Sequence, residues 1–209
     1  RSGVARMKQD AKQDAKRGAV KGTVKGTVIF LNGVSSSGKT SLANELLTRL
    51  PDYFRFSVDD FDLVIERMED RHNGHLIPVE TDEFFHETVA MFSNHGVNLI
   101  VDHVLHCPFT AGNCFKVLGA YPVLFVGVHC PLDELERREK ARGDRDMGLA
   151  KTQLQYVHQH EVYDVEVDTY RNNLTVCADQ IMAALEAGRF PDGWLKTRQK
   201  LALAGLRDW

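Results

Sequence analysis

The chain is expected to fold as an α/β protein, a doubly wound (three-layer) parallel sheet, and three observations point there. Short apolar runs of strand length alternate with amphipathic runs of helix length from Thr27 onward. A glycine-rich turn, GVSSSGKT (Gly33 to Thr40), joins the first apolar run to the first helical one. The 209 residues are 43% hydrophobic and 26% charged, the composition of an ordinary globular domain rather than of a disordered chain or a disulfide scaffold.

Taken in order, Thr27 to Asn32 (TVIFLN) reads as a buried strand and Lys39 to Leu50 as a helix that stops at Pro51. Phe54 to Val58 forms a second short strand and Asp60 to Glu69 a helix. Arg71 to Val79 carries glycine and proline and reads as a loop. Thr81 to Asn94 is helical, with Thr81 as N-cap and a stripe of Phe84, Phe85, Val89 and Phe92. Val97 to Val101 is the third strand, followed by a helical stretch from Phe109 to Leu118. Tyr121 to Val128 is the fourth strand, Leu132 to Ala141 a charged helix, Val165 to Val167 a fifth strand and Leu174 to Leu185 an amphipathic helix. Strands separated by helices of this length call for parallel pairing with both faces covered.

These elements define a domain over residues 27–190. Residues 1–26, with the polar near-repeats KQDAKQDAKR and KGTVKGTV, read as a solvated extension or artificial leader. Residues 191–209 read as a helical C-terminal tail whose leucines pack on the domain or on a partner. The 26 basic residues against 29 acidic ones, net charge -3, speak against a nucleic-acid partner. The longest apolar runs, such as Val123 to Val128, are strand-sized, so no membrane partner is expected. Four cysteines without a CxxC pair suit free thiols in a reducing cytoplasm. The oligomeric state is left open by these residues.

The turn fits G-x-x-x-x-G-K-S/T, the phosphate-binding P-loop, in the strand-to-helix context that motif requires. The expected nucleotide-binding residues are Gly33, Val34, Ser35, Ser36, Ser37, Gly38, Lys39, Thr40 and Ser41. Their backbone N–H groups and the helix end converge on a phosphate, Lys39 reaches the terminal oxygens and Thr40 ligates Mg2+. The chain has no N-K-x-D guanine motif, no LSGGQ-like segment, and is short for a motor. What remains is a small P-loop kinase using ATP and Mg2+, which needs a base, a metal shell and cations over the phosphoryl group.

Asp59, in FSVDDFD (Phe56 to Asp62), is the expected general base and a metal-shell carboxylate, with Asp60 and Asp62 as competitors for the role and helix capping as the plainer reading. Asp102, in LIVDH, is a Walker-B-like carboxylate placed for Mg2+, or a strand-end hydrogen-bonding residue. In RREKARGDR, Arg138, Arg142 and Arg145 are expected to close over the phosphates as a lid, against the alternative of a solvated charged face. His103, His106 and Cys107 offer a weak soft-metal reading. His158 and His160 line the acceptor pocket or form a surface pair.

The segments GVSSSGKT, FSVDDF, LIVDHV, VLFVGVHCP, RREKARGDR with a following KTQ, and YDVEVDT together resemble the chloramphenicol phosphotransferase family of small P-loop kinases, over about Thr27 to Ala187. The resemblance implies a P-loop NTPase kinase fold and ATP-dependent phosphorylation of a hydroxyl on a small molecule, for instance an antibiotic such as chloramphenicol. It also implies Asp59 as base, Lys39 and Thr40 at phosphate and metal, and Arg138 and Arg142 in the lid. HVLHCPFTAGNCF (His103 to Phe115) and RHNGHLIPVE (Arg71 to Glu80) depart from the family and are expected to shape the acceptor pocket. A toxin-like nucleotide-sugar kinase and a nucleoside or nucleotide kinase are alternatives with the same local chemistry. A nucleotide-binding interaction module without turnover is the alternative from another class.

Overall fold

The computed structural model describes residues 24–143 and 147–203. Five parallel strands form one sheet in the order β2-β3-β1-β4-β5: β1 Val28–Asn32, β2 Tyr53–Ser57, β3 Asn98–His103, β4 Val123–His129 and β5 Val165–Asp168. Strand β1 is central and wholly buried, as its unbroken apolar run requires of a strand covered on both faces. Its side chains alternate: Val28 and Phe30 enter one core, Ile29 and Leu31 the other.

The core beneath Ile29 and Leu31 is closed by α1 (Lys39–Leu47, through Leu42, Ala43 and Leu46) and α7 (Leu174–Ala187, through Cys177, Ala178 and Ile181). The opposite core is closed by α3 (Thr81–Asn94, through Phe85 and Val89), α4 (Pro108–Leu118, through Phe115 and Leu118) and α8 (Asp192–Leu203, through Trp194 and Leu201). Helix α2 (Val58–Met68) follows β2, and α5 (Leu132–Arg142) and the short α6 (Leu149–Gln153) follow β4. Helices on both faces of a parallel sheet are the three-layer arrangement that the alternation predicts.

Three boundaries differ in ways that matter to the site. Helix α1 ends at Leu47, because Thr48 and Arg49 close onto Glu45 and Leu46 carbonyls in tighter turns before Pro51. Strand β3 runs on through Asp102 and His103, which pair with Leu31 and Asn32 of β1. Strand β2 stops at Ser57, so Asp59 stands in the first turn of α2 rather than on the strand.

Just before β1, Gly26 N–H donates to Ser93 O at 2.7 Å and the Lys25 ammonium lies 3.7 Å over the Tyr121 ring. Trp194 is fully buried against Phe30, Phe115 and Phe125, its indole N–H donating to Leu118 O at 3.2 Å. Helix α8 is thus part of the domain core. The four cysteines are free thiols.

Candidate active site

A cleft of about 930 Å³ opens at the carboxyl ends of the strands, where ligands bind in open α/β sheets. Its floor is the turn between β1 and α1. Gly33 is needed there for packing: a Cβ would come 2.5 Å from Val128 O and 2.8 Å from Ser37 Oγ. Gly38 heads α1 at φ 94°, a left-handed backbone that side chains disfavour. The hydroxyls of Ser35, Ser36 and Ser37 are buried without a partner among the described residues. Buried hydroxyls of this kind await a ligand or water.

Lys39 is buried to 7% exposure, its ammonium donating to Val34 O at 3.0 Å and standing 3.9 Å from Asp102 Oδ1. Thr40 Oγ1 donates to Asp102 Oδ2 at 2.6 Å. A hydroxyl and a carboxylate brought together in this way are the hard oxygen donors that Mg2+ takes, so the residues fit that ion. The P-loop and β3 thus converge as their order in the sheet dictates, since β3 lies directly beside β1.

Asp59 lines the same cleft, as do Ser35, Ser36, Gly38, Lys39, Thr40, Ser41, Asp102, Arg138 and Arg142. Gly33, Val34 and Ser37 do not line it. Val34 is packed with Cys130, Leu135, Ala150 and Val157, and contributes its carbonyl to Lys39. Arg145 lies outside the described residues. Asp60 turns aside and pairs with Arg55 at 2.7 Å.

Arg138 is docked rather than solvated. Its guanidinium donates to Ser36 O at 3.3 Å, Thr169 Oγ1 at 3.2 Å and Thr169 O at 3.2 Å, and its Nε to Glu134 at 2.7 Å. The guanidinium groups of Arg137 and Arg138 hold the Glu134 carboxyl down at about 2. Thr169 Oγ1 in turn donates to Ser37 O at 2.6 Å, tying the end of β5 to the P-loop. Glu139, fully buried, accepts from Gly148 N–H at 3.0 Å and Ala150 N–H at 2.7 Å and so fixes α6 against α5. From α6, Gln153 Oε1 accepts the Ser35 N–H at 2.6 Å, an oxygen on a P-loop amide.

The far end of the cleft is built by α2, the N-terminus of α3 and the segment after β3: Val58, Asp59, Asp62, Glu80, Thr81, Asp82, His103, Val104 and His106. Here His86 Nε2 meets His103 Nε2 at 3.0 Å, and His86 Nδ1 meets Asn113 Oδ1 at 2.6 Å. Burial pushes both imidazoles below the ordinary histidine value. His103, His106 and Cys107 do not converge on a metal: among the described residues no group of three or more metal-ligating side chains occurs. His158 and His160 are absent from the lining. His158 lies tilted against His129 with ring centroids 4.1 Å apart and meets Tyr163 OH at 2.6 Å, and burial lowers its pKa to about 3. Asp82 escaped sequence reasoning; Glu80 closes the RHNGHLIPVE segment expected to shape the acceptor pocket, and Gln153 and Thr169 close the KTQ and YDVEVDT segments that carry the family resemblance.

A P-loop meeting a strand-borne aspartate in a five-stranded parallel sheet, with arginines from the helix after β4 at its rim, is the arrangement of the P-loop kinase fold. Comparison with known proteins agrees. The family described as "Chloramphenicol phosphotransferase-like protein" matches residues 26–186, and the chain belongs to that family. "Putative O-phosphotransferase Rv2636" of Mycobacterium tuberculosis is 27% identical over 198 residues, covering 83% of this chain and 88% of that protein. Among solved structures, the Deinococcus radiodurans tunicamycin resistance protein superposes with TM-score 0.61 at 19% identity, over 77% of this chain and 96% of that one. The Mycobacterium tuberculosis APS kinase CysC, in complex with AMPPNP and APS, gives 0.58 at 15% over 78% and 98%. A gluconokinase from Sinorhizobium meliloti 1021 gives 0.55 at 19% over 88% and 98%. At these identities the structures establish the shared fold.

Proposed function

We propose that the protein is an ATP-dependent O-phosphotransferase that moves the γ-phosphoryl group to a hydroxyl of a small molecule. The observation that carries this reading is the contact of Lys39 and Thr40 with Asp102 on the floor of a cleft that Asp59 also lines. The nucleotide phosphates lie along the P-loop, received by its N–H groups, the hydroxyls of Ser35 and Ser36, and Lys39. Thr40 and Asp102, with Asp59 nearby in the cleft, would hold Mg2+, which would neutralise charge on the phosphates.

Asp59, exposed in the first turn of α2, orients the acceptor hydroxyl and receives its proton as oxygen attacks the γ-phosphorus. The new O–P bond forms as the bond from the γ-phosphorus to the β–γ bridging oxygen breaks, and ADP leaves with that electron pair. Arg138 and Arg142, one helical turn apart on α5, reach the cleft from its rim; with Arg145 they neutralise the transferring group and exclude water. The family membership and the kinase fold support this class of chemistry; a neutral antibiotic such as chloramphenicol is one acceptor to try.

The test is ADP release in the presence of ATP and Mg2+, with and without hydroxylated acceptors. Acceptor-stimulated release that Asp59→Asn abolishes is expected. Nucleotide binding with no such turnover would replace the enzyme by an interaction module.

A further inference from the structure

The two ends of the cleft differ sharply in charge. At the nucleotide end Lys39, Arg138 and Arg142 stand with the single carboxylate of Asp102; the far end, beside Asp59, presents the carboxylates of Asp62, Glu80 and Asp82, and among the described lining residues no lysine or arginine. Arg71, which reaches Asp62 at 3.0 Å, is shared with Glu69 at 2.8 Å and does not line the cleft. Asp82 accepts a hydrogen bond from Thr110 Oγ1 at 2.7 Å, which aligns the carboxylate without neutralising it.

A second observation at the same end points to a ligand. His103 is 2% exposed, forms part of the cleft wall, and its Nδ1 is buried with no partner among the described residues. The chain of contacts behind it sets what that atom can do. Asn113 Oδ1 only accepts, so His86 Nδ1 is the donor of that pair and His86 Nε2 carries a lone pair. His103 Nε2, 3.0 Å away, must then be the donor to it, which leaves His103 Nδ1 as an unsatisfied acceptor. Asp62 Oδ1 accepts from Arg71 and also from Thr81 Oγ1 at 3.2 Å, whereas Glu80 and Asp82 have no lysine or arginine paired to them among the described residues; these two carboxylates and the buried imidazole lone pair ask for hydrogen-bond donors, and the carboxylates for positive charge.

We propose that the acceptor is a hydroxylated amine, a small polyol bearing an ammonium group. Asp62, Glu80 and Asp82 receive the ammonium, and one O–H or N–H of the same molecule donates to Nδ1 of His103. The proposal rests on the phosphotransferase reading above and deepens it. It sets the acceptor apart from nucleotides, sugar acids and other anions, which this end of the cleft repels.

Two acceptor series test it, each on one carbon skeleton in three charge states: glucamine, sorbitol and gluconate, then 2-deoxystreptamine, myo-inositol and myo-inositol 1-phosphate. The amine should lead each series in kcat/KM, with the anion lower by about tenfold or more. Glu80→Gln combined with Asp62→Asn should narrow that gap. His103→Gln keeps a group at the Nε2 position and loses the Nδ1 acceptor, so it should raise the amine's KM by about tenfold while His103→Asn, whose amide oxygen reaches the Nδ1 position, recovers part of the loss. Turnover led by the neutral or anionic members, or an unchanged KM in His103→Gln, overturns the proposal and leaves the phosphotransferase standing. Absence of stimulated ADP release with all six compounds and with chloramphenicol overturns both.

Discussion

Lys39 is held in a buried position by a backbone carbonyl 3.0 Å away and by Asp102. Its ammonium is thus pre-positioned where phosphate oxygens would lie, and little reorganisation is needed when they arrive. Lys39→Ala should lower kcat by about 10²- to 10³-fold, the usual cost of removing one electrostatic stabiliser, as measured by steady-state ADP release. Gly33 answers to sterics instead. Its missing Cβ lets β1 pass Val128 O, so Gly33→Ala should lower stability by about 1–3 kcal/mol in urea unfolding. The P-loop residues were legible because one short motif carries both chemistry and backbone geometry. The His86–Asn113 contact was not: its partners are separated by 27 residues and meet only when α3 packs on α4.

At the scale of elements, α5 was readable as a charged helix, but its attachment was not, because Ser36 and Thr169 reach Arg138 across 102 and 31 residues of chain. That geometry uses a planar guanidinium that donates from both terminal nitrogens, so Arg138→Lys should behave as a loss rather than a conservative change, with kcat down about tenfold or more. Buried histidines on α3, β3 and the segment before β5 give the domain an acid-sensitive stability. His86, His103 and His158 have folded pKa values below the ordinary 6.5, all through burial first. The unfolded chain therefore binds more protons once pH falls below 6.5, and stability drops over that range; for His158 the drop continues down to about pH 3. Between pH 7 and 5.5 His158 should cost about 1 kcal/mol, with His86 and His103 acting in the same direction, read as a falling urea midpoint. A flat midpoint over that interval would contradict the buried neutral histidines.

For the whole molecule, the alternation of strands and helices was enough to foresee a doubly wound parallel sheet, because a fully apolar run such as Val28–Leu31 can only be satisfied between two covering layers. The C-terminal helix was read as packing through its leucines, and the part played by Trp194 was hidden. Leu195 remains 41% exposed while Trp194 beside it is fully buried, and no periodicity in so short a segment reveals that Trp194 fills the space between Phe30, Phe115 and Phe125. Trp194→Ala should destabilise the domain by about 3–5 kcal/mol, well above any single surface change. The site was likewise legible in its parts and not in its polarity: Asp59, Lys39, Thr40, Asp102 and Arg138 could be named from motifs, whereas Glu80 and Asp82 join the cleft only because α3 starts at its rim. The most direct test of the central claim is phosphorus NMR of the protein with ATP, Mg2+ and the hydroxylated acceptors. A new phosphomonoester resonance that grows as the γ-phosphate is lost, and that is absent with Asp59→Asn, is the predicted result; γ-phosphate appearing only as inorganic phosphate, or an ester still formed by Asp59→Asn, would contradict it.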